Sequence, residues 1–92
     1  MICFNKNNPP PEDDAQFYKK LQQALNEIYF DQKLEEAELN ITENSEIIED
    51  GNISNLIEVV YNKFYNEDSQ CLGIVIEKNK NGSLKIIIDE IE

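Results

Sequence analysis

The sequence predicts an α+β fold: two helices packed on one face of a small antiparallel sheet that ends in a C-terminal β-hairpin. Three observations lead there. Apolar residues recur at helical spacing from about Asp13 onward and again from about Ile53 to Asn66. Two aliphatic runs, Cys71–Lys78 and Ser83–Ile91, flank the turn residues Lys80-Asn81-Gly82. A chain of 92 residues with 40% apolar content holds one core at most.

Residues 1–11 read as a flexible N-terminal arm, because Asn5-Lys6-Asn7-Asn8 is polar and Pro9-Pro10-Pro11 is stiff and short of backbone donors. Met1–Phe4 retains enough apolar character for a short edge strand. Residues 12–92 read as a single α+β domain. Glu12, Asp13 and Asp14 suit the positive end of a helix dipole, and Asp13 with Gln16 has capping-box spacing. Phe17, Leu21, Ala24, Leu25 and Ile28 then fall within about a 100° arc. Phe30, Leu34 and Ala37 share a second face, roughly 180–200° from the first. Either one helix runs to about residue 37, buried on two sides, or it bends near Phe30-Asp31. That second face is also a candidate dimer contact.

Leu39-Asn40-Ile41-Thr42 alternates like a strand, whereas Ser45–Asp50 reads equally as a helical turn or a short strand. Gly51 ends that segment and Asn52 suits a helix N-cap. Ile53, Ile57, Val60 and Phe64, with Leu56 beside them, form the core line of the second helix. In the hairpin, a three-residue loop with Gly82 in the left-handed position sets Glu77 opposite Lys85 and Ile76 opposite Ile86. A two-residue Asn81-Gly82 turn would oppose Lys78 and Lys85, which is unfavourable by a few tenths to ~1 kcal/mol. The three-residue loop is therefore expected. It gathers Leu72, Ile74, Ile76, Leu84, Ile86 and Ile88 on one face. A lone hairpin is marginal, so a third strand is required from residues 38–50, the N-terminus or a second subunit.

Nineteen acids face eight lysines, with neither arginine nor histidine, for a net charge of −11. Nucleic-acid binding and docking on an anionic membrane need the opposite sign. No run approaches the ~18 apolar residues of a membrane span, and no secretory signal opens the chain. A cytoplasmic location is expected. Cys3 and Cys71 stand in no metal-binding spacing and are expected as free thiols. The Asn-x-Ser/Thr triplets at Asn40, Asn52 and Asn81 are compositional accidents of a chain with twelve asparagines.

Without histidine, the usual general base and every Ser/His or Cys/His pair are missing. Phosphate-cradling glycine motifs and calcium-loop spacing are missing too. No catalytic residue, metal or cofactor is expected. What stands out is a run of seven acids without a base: Glu35, Glu36, Glu38, Glu43, Glu46, Glu49 and Asp50. Glu67-Asp68 follows the second helix, and on that helix Glu58 and Tyr65 lie about 20° apart with Tyr61 on the flank. Tyrosine beside carboxylate suits a protein interface.

The expected function is that of a small acidic, non-enzymatic binding protein. It would be an inhibitor or immunity-type protein that occludes a basic, nucleic-acid-handling partner such as a nuclease toxin, a defence effector or a DNA-binding protein. The alternative is a dimeric accessory or chaperone-like protein that binds an apolar client segment through the face at Phe30, Leu34 and Ala37.

Overall fold

The computed structural model describes residues 2–44, 46–67 and 71–90. Met1, Ser45, Asp68 and Ile91, for which the sequence carries expectations, lie outside them. In chain order the elements are β1 (Ile2–Asn5), α1 (Asp14–Ile28), a 3-10 turn (Leu34–Glu36), β2 (Leu39–Glu43), β3 (Glu46–Gly51), α2 (Ile53–Tyr61), a π turn (Asn62–Asn66), β4 (Cys71–Lys78) and β5 (Leu84–Glu90). The strands form one sheet in the order β1-β4-β5-β2-β3.

The hairpin holds the expected register. Glu77 faces Lys85, Ile76 faces Ile86, Val75 faces Ile87 and Ile74 faces Ile88. The loop closes where Asn79 N–H donates to the Ser83 carbonyl at 2.8 Å, leaving Lys80-Asn81-Gly82 outside. Gly82 has φ 91°, the left-handed conformation that this loop requires. Asparagine and serine side chains tie the loop down: Asn81 Oδ1 accepts from Ser83 N–H at 3.0 Å, and Asn79 Nδ2 reaches Asn40 Oδ1 at 3.3 Å.

The sheet is mixed rather than antiparallel throughout. β1 pairs antiparallel with β4, and β4 with β5, so β1 and β5 run the same way. The crossover from β1 through α1 starts β2 in that same direction. β2 therefore docks parallel on the free edge of β5, with Leu39 beside Leu84 and Ile41 beside Ile86. This corrects the expectation of an antiparallel sheet: alternating hydrophobicity encodes a strand's buried face but not its direction.

Alternate residues of four strands share one face: Phe4, Leu72, Ile74, Ile76, Leu84, Ile86, Ile88, Leu39 and Ile41. All are buried and form one cluster with Phe17, Leu21 and Leu25 of α1 and Leu56, Ile57 and Val60 of α2. Both helices therefore cover the same side. Each such side chain contributes roughly 1.5–3 kcal/mol by leaving water.

Asp13 caps α1 by accepting from Ala15 N–H at 2.9 Å. The helix stops at Ile28, so the longer, two-faced helix is not formed. Two polar side chains on α1 turn the chain back. Gln22 Nε2 donates to the Gln32 carbonyl at 2.8 Å while its Oε1 accepts from Leu34 N–H at 2.9 Å, and Asn26 Nδ2 donates to the Phe30 carbonyl at 2.9 Å. Leu34 is thereby delivered into the core, fully buried, whereas Phe30 is 85% exposed. Ile28, expected on the buried stripe, is 55% exposed.

The segment expected as an arm is held at several points. β1 inserts Phe4 into the core, and Asn5 Oδ1 accepts from Asn7 and Asn8 N–H at 2.9 Å each, turning the chain. Pro10 is buried. Tyr65 Oη donates to the Pro10 carbonyl at 2.9 Å, and Tyr61 Oη donates to the Pro11 carbonyl. A ladder of rings backs these contacts: Phe4–Phe17 at 5.4 Å, Phe17–Tyr61 at 5.7 Å and Tyr61–Tyr65 at 5.9 Å between centroids.

Between β3 and α2, Gly51 has φ 154°, and a Cβ there would lie 2.1 Å from Asn55 Nδ2, which donates to the Asp50 carbonyl at 3.1 Å. Asn52 then caps α2 by accepting from Ser54 and Asn55 N–H. Gly51→Ala is expected to destabilise the fold by about 1–3 kcal/mol, from backbone strain and displacement of Asn55. Urea unfolding checks this; an unchanged midpoint would mean that the turn relaxes freely.

Candidate functional site

β2 and β3 form a hairpin through Asn44, which takes φ 52°, a conformation that asparagine tolerates. The last pair before the turn sets Glu43 opposite Glu46. Two carboxylates facing each other across a ladder are unfavourable, and Lys63 relieves them. Its Nζ lies 2.8 Å from Glu43 Oε2 and 3.7 Å from Glu67 Oε2. The π turn makes this reach: Glu67 N–H donates to the Asn62 carbonyl at 2.9 Å, an i to i+5 bond, and Lys63 is turned inward and buried. Burial by itself would push the Lys63 pKa down. The hydrogen bond and charge of Glu43, then the charges of Glu67 and Glu90, more than offset this and hold it above the ordinary lysine value.

Beside this clamp an open groove of about 500 Å³ runs between β3 and α2. Ile48 and Glu49 form one wall. Asn55, Glu58, Val59 and Asn62 form the other, and Lys63 and Glu67 close the end. Ile48 takes its place through a bulge. Ile41 pairs with Glu49 but Thr42 pairs with Ile47, so Ile48 is the extra residue of β3.

Of the acids singled out from sequence, the structure therefore brings together Glu43, Glu46, Glu49 and Asp50 on the β2–β3 hairpin and sets Glu58 across the groove from Glu49. Asp50 Oδ1 accepts from Asn40 Nδ2 at 3.1 Å, and β3 is exposed from Glu46 to Asp50. Glu35, Glu36 and Glu38 do not line the groove. Glu35 and Glu36 sit on the 3-10 turn, where Glu35 accepts from Tyr18 Oη at 3.1 Å. Glu38 precedes β2 and gives its backbone carbonyl to Leu84 N–H.

Tyr61 and Tyr65 do not line it either. The looser winding of the π turn moves Tyr65 off the 100° count that placed it beside Glu58, and both hydroxyls are committed to the proline carbonyls. The candidate dimer face is also divided: Leu34 lies in the core, Ala37 is half-buried and Phe30 is exposed. Lys63, Asn55, Asn62, Ile48 and Val59 were not legible as site residues. One signal was available for Lys63, which stands four residues before Glu67 as the lone base of its helix.

Among the described residues no group of three His, Cys, Asp or Glu side chains is placed to hold a metal ion, and no helix is long and apolar enough to cross a membrane. Cys3 and Cys71 are free, half-buried thiols on neighbouring strands, with Cys3 opposite Gly73 and Cys71 opposite Asn5. No known protein family, curated protein or solved structure matches this chain. The chemistry of the site rests on its own geometry: a carboxylate-rich groove, its lysine paired with Glu43 and Glu67, beside an exposed strand.

Two predictions follow from the clamp and the tyrosines. Lys63→Met keeps the buried length but removes the charge, leaving Glu43 and Glu46 opposed; losing such a charged hydrogen bond costs about 1.5–3 kcal/mol. Urea unfolding at neutral pH reads this, and an unshifted midpoint would exclude a structural clamp. Burial raises the pKa of Tyr18, Tyr61 and Tyr65 above 10.0, with neighbouring carboxylates adding to it, and Lys63 is raised above 10.5. The fold thus favours the protonated form of all four. Their contribution is fully present below the unfolded pKa values and is lost as pH rises through the folded ones. Unfolding free energy from these groups should be flat from about pH 7 to 9 and fall above about pH 10. Tyr61→Phe with Tyr65→Phe should shallow that fall.

Proposed function

We propose that this chain is a small acidic binding protein whose partner is a basic protein, and that it acts as an inhibitor or immunity-type protein by occluding a surface that handles nucleic acid. The observation that carries this reading is the one-signed surface along β3 and α2. Glu46, Glu49, Asp50 and Glu58 gather there, while the lysine beside them is already engaged by Glu43 and Glu67. Such a surface presents to a cationic cleft the charge that phosphates would otherwise bring, and it speeds encounter by electrostatic steering. On this reading no residue takes part in chemistry and the protein works in the cytoplasm.

The dimeric, client-binding alternative retains one feature, the exposed Phe30 beside Tyr18, Gln22 and Asn26. It loses Leu34 to the core. Of the three residues of its candidate dimer contact, Phe30 alone remains exposed.

The test uses the basic protein recovered from the native host on immobilised chain, followed by stopped-flow association. Replacing Glu46, Glu49 and Glu58 with Gln and Asp50 with Asn leaves Glu43 to its lysine and should change stability little, since exposed charges contribute roughly 0–1 kcal/mol each. Association should slow by about tenfold or more at low salt, and its dependence on ionic strength should flatten. If the four-fold variant associates as fast as the parent, the acids serve solubility and the occlusion reading fails.

A further inference from the structure

Strand β3 ends the sheet, and among the described residues it pairs only with β2. Residues Glu46 to Asp50 are exposed along this edge, and its outer backbone groups can meet another chain over Glu46–Glu49, while the Asp50 carbonyl accepts from Asn55 Nδ2 at 3.1 Å. Edges of this kind are usually blunted by lysine, proline or a bulge; β3 has neither lysine nor proline, and its bulge is confined to Ile48. It carries instead two aliphatic side chains, Ile47 at 62% and Ile48 at 40% exposure. We propose that β3 is a docking edge that takes an extended segment of a basic protein as an additional strand. This deepens the reading of a basic partner and rests on it.

The acids decide the occupant. A second copy of the chain fits poorly. Antiparallel pairing of β3 with itself about Ile48 sets Glu46 against Asp50, a shift by one in one direction sets Glu46 against Glu49, and parallel in-register pairing sets every acid against its own copy. The shift in the other direction opposes no two carboxylates directly, but it still crowds the acids of both copies together with no cation between them. An incoming strand with alternating cationic side chains meets the opposite situation. Its cationic residues point to the helix side, where Glu49 and Glu58 face each other across the groove and the aliphatic stems of lysine or arginine can lie on Ile48 and Val59. The aliphatic residues between them point to the other face of the sheet, the side of the exposed Ile47. Main-chain hydrogen bonds along the edge then supply affinity, and the groove supplies selectivity for lysine or arginine.

Two synthetic peptides of equal length and charge, built of alternating lysine and valine, test this on the full isotope-labelled chain. One is unmodified; the other is N-methylated on the amides that would face β3. The unmodified peptide should shift the amide resonances of Glu46–Gly51 and of the groove residues on α2, and should slow hydrogen exchange at β3. The methylated peptide should bind about tenfold or more weakly, since several backbone hydrogen bonds are lost at constant charge. Glu49→Lys combined with Glu58→Lys should abolish binding of the unmodified peptide. Equal affinity for the two peptides, or shifts scattered over the acidic surface without β3, would overturn strand addition while leaving attraction to basic proteins intact. Failure of both peptides to bind at low salt would overturn strand addition and the basic-partner reading together.

Discussion

The apolar face of the β4–β5 hairpin is the surface on which the other elements are built. Its two strands occupy the second and third places of the sheet, so β1 adds to one side and β2 to the other. Leu72, Ile74, Ile76, Leu84, Ile86 and Ile88 are all at least 95% buried, under helices that bring leucines and aromatics to the same plane. A shift of one residue in this pairing would turn each of those side chains to the other face. The Glu77–Lys85 pair and the Gly82 turn therefore protect more than their own modest energies. They fix the register on which the placement of β2, and through it β3, depends.

Distance from that central pair sets what each element is free to do. β5 and β4 are paired on both sides, and β2 is held between β5 and β3. β3 is the last strand, its side chains outside the core, and its position comes from its ladder with β2 and from the Gly51–Asn55 corner that leads into α2. Charge can accumulate there at little cost to folding, because the carboxylates stay hydrated. Where two of them are forced together, at Glu43 and Glu46, the chain places its buried lysine. Fold stability and surface charge meet at Lys63, and the π turn that aims this side chain also forms the end of the groove.

The sequence was most legible where local chemistry and long-range pairing agreed. The hairpin register followed from a loop type and a single opposite-charge pair, and Asn52 capped α2 because its side chain satisfies two N–H groups that no turn of the helix can reach. Legibility failed where a period was extended past a polar interruption. Phe30, Leu34 and Ala37 share a face only if the helix continues, and the amides of Gln22 and Asn26 end it by capturing carbonyls of the following loop. Tyr65 was set beside Glu58 by counting α-helical turns through a segment that winds as a π turn. The parallel seating of β2 depended on chain direction, about which alternation is silent. Within the candidate site, the acids were visible as a run, but which of them share a surface was decided by the bulge at Ile48 and the crossing of α2 over β3.

An exposed edge is ordinarily a hazard, since any other edge can pair with it. Here the acids of β3 disfavour the commonest competitor, another copy of the same chain, because self-pairing brings the carboxylates of both copies together without a cation and in several registers sets them directly opposite one another. β3 contains no proline, so the backbone N–H groups of Glu46–Glu49 are all present to pair with another chain. Selection against self-pairing and selection for a cationic strand are consequently the same physical property seen from two partners. A lysine on β3 would blunt self-association as well, but it would turn away the basic segment that the groove is shaped to receive. Of the devices that protect an edge, acidic residues are the ones that leave this edge usable.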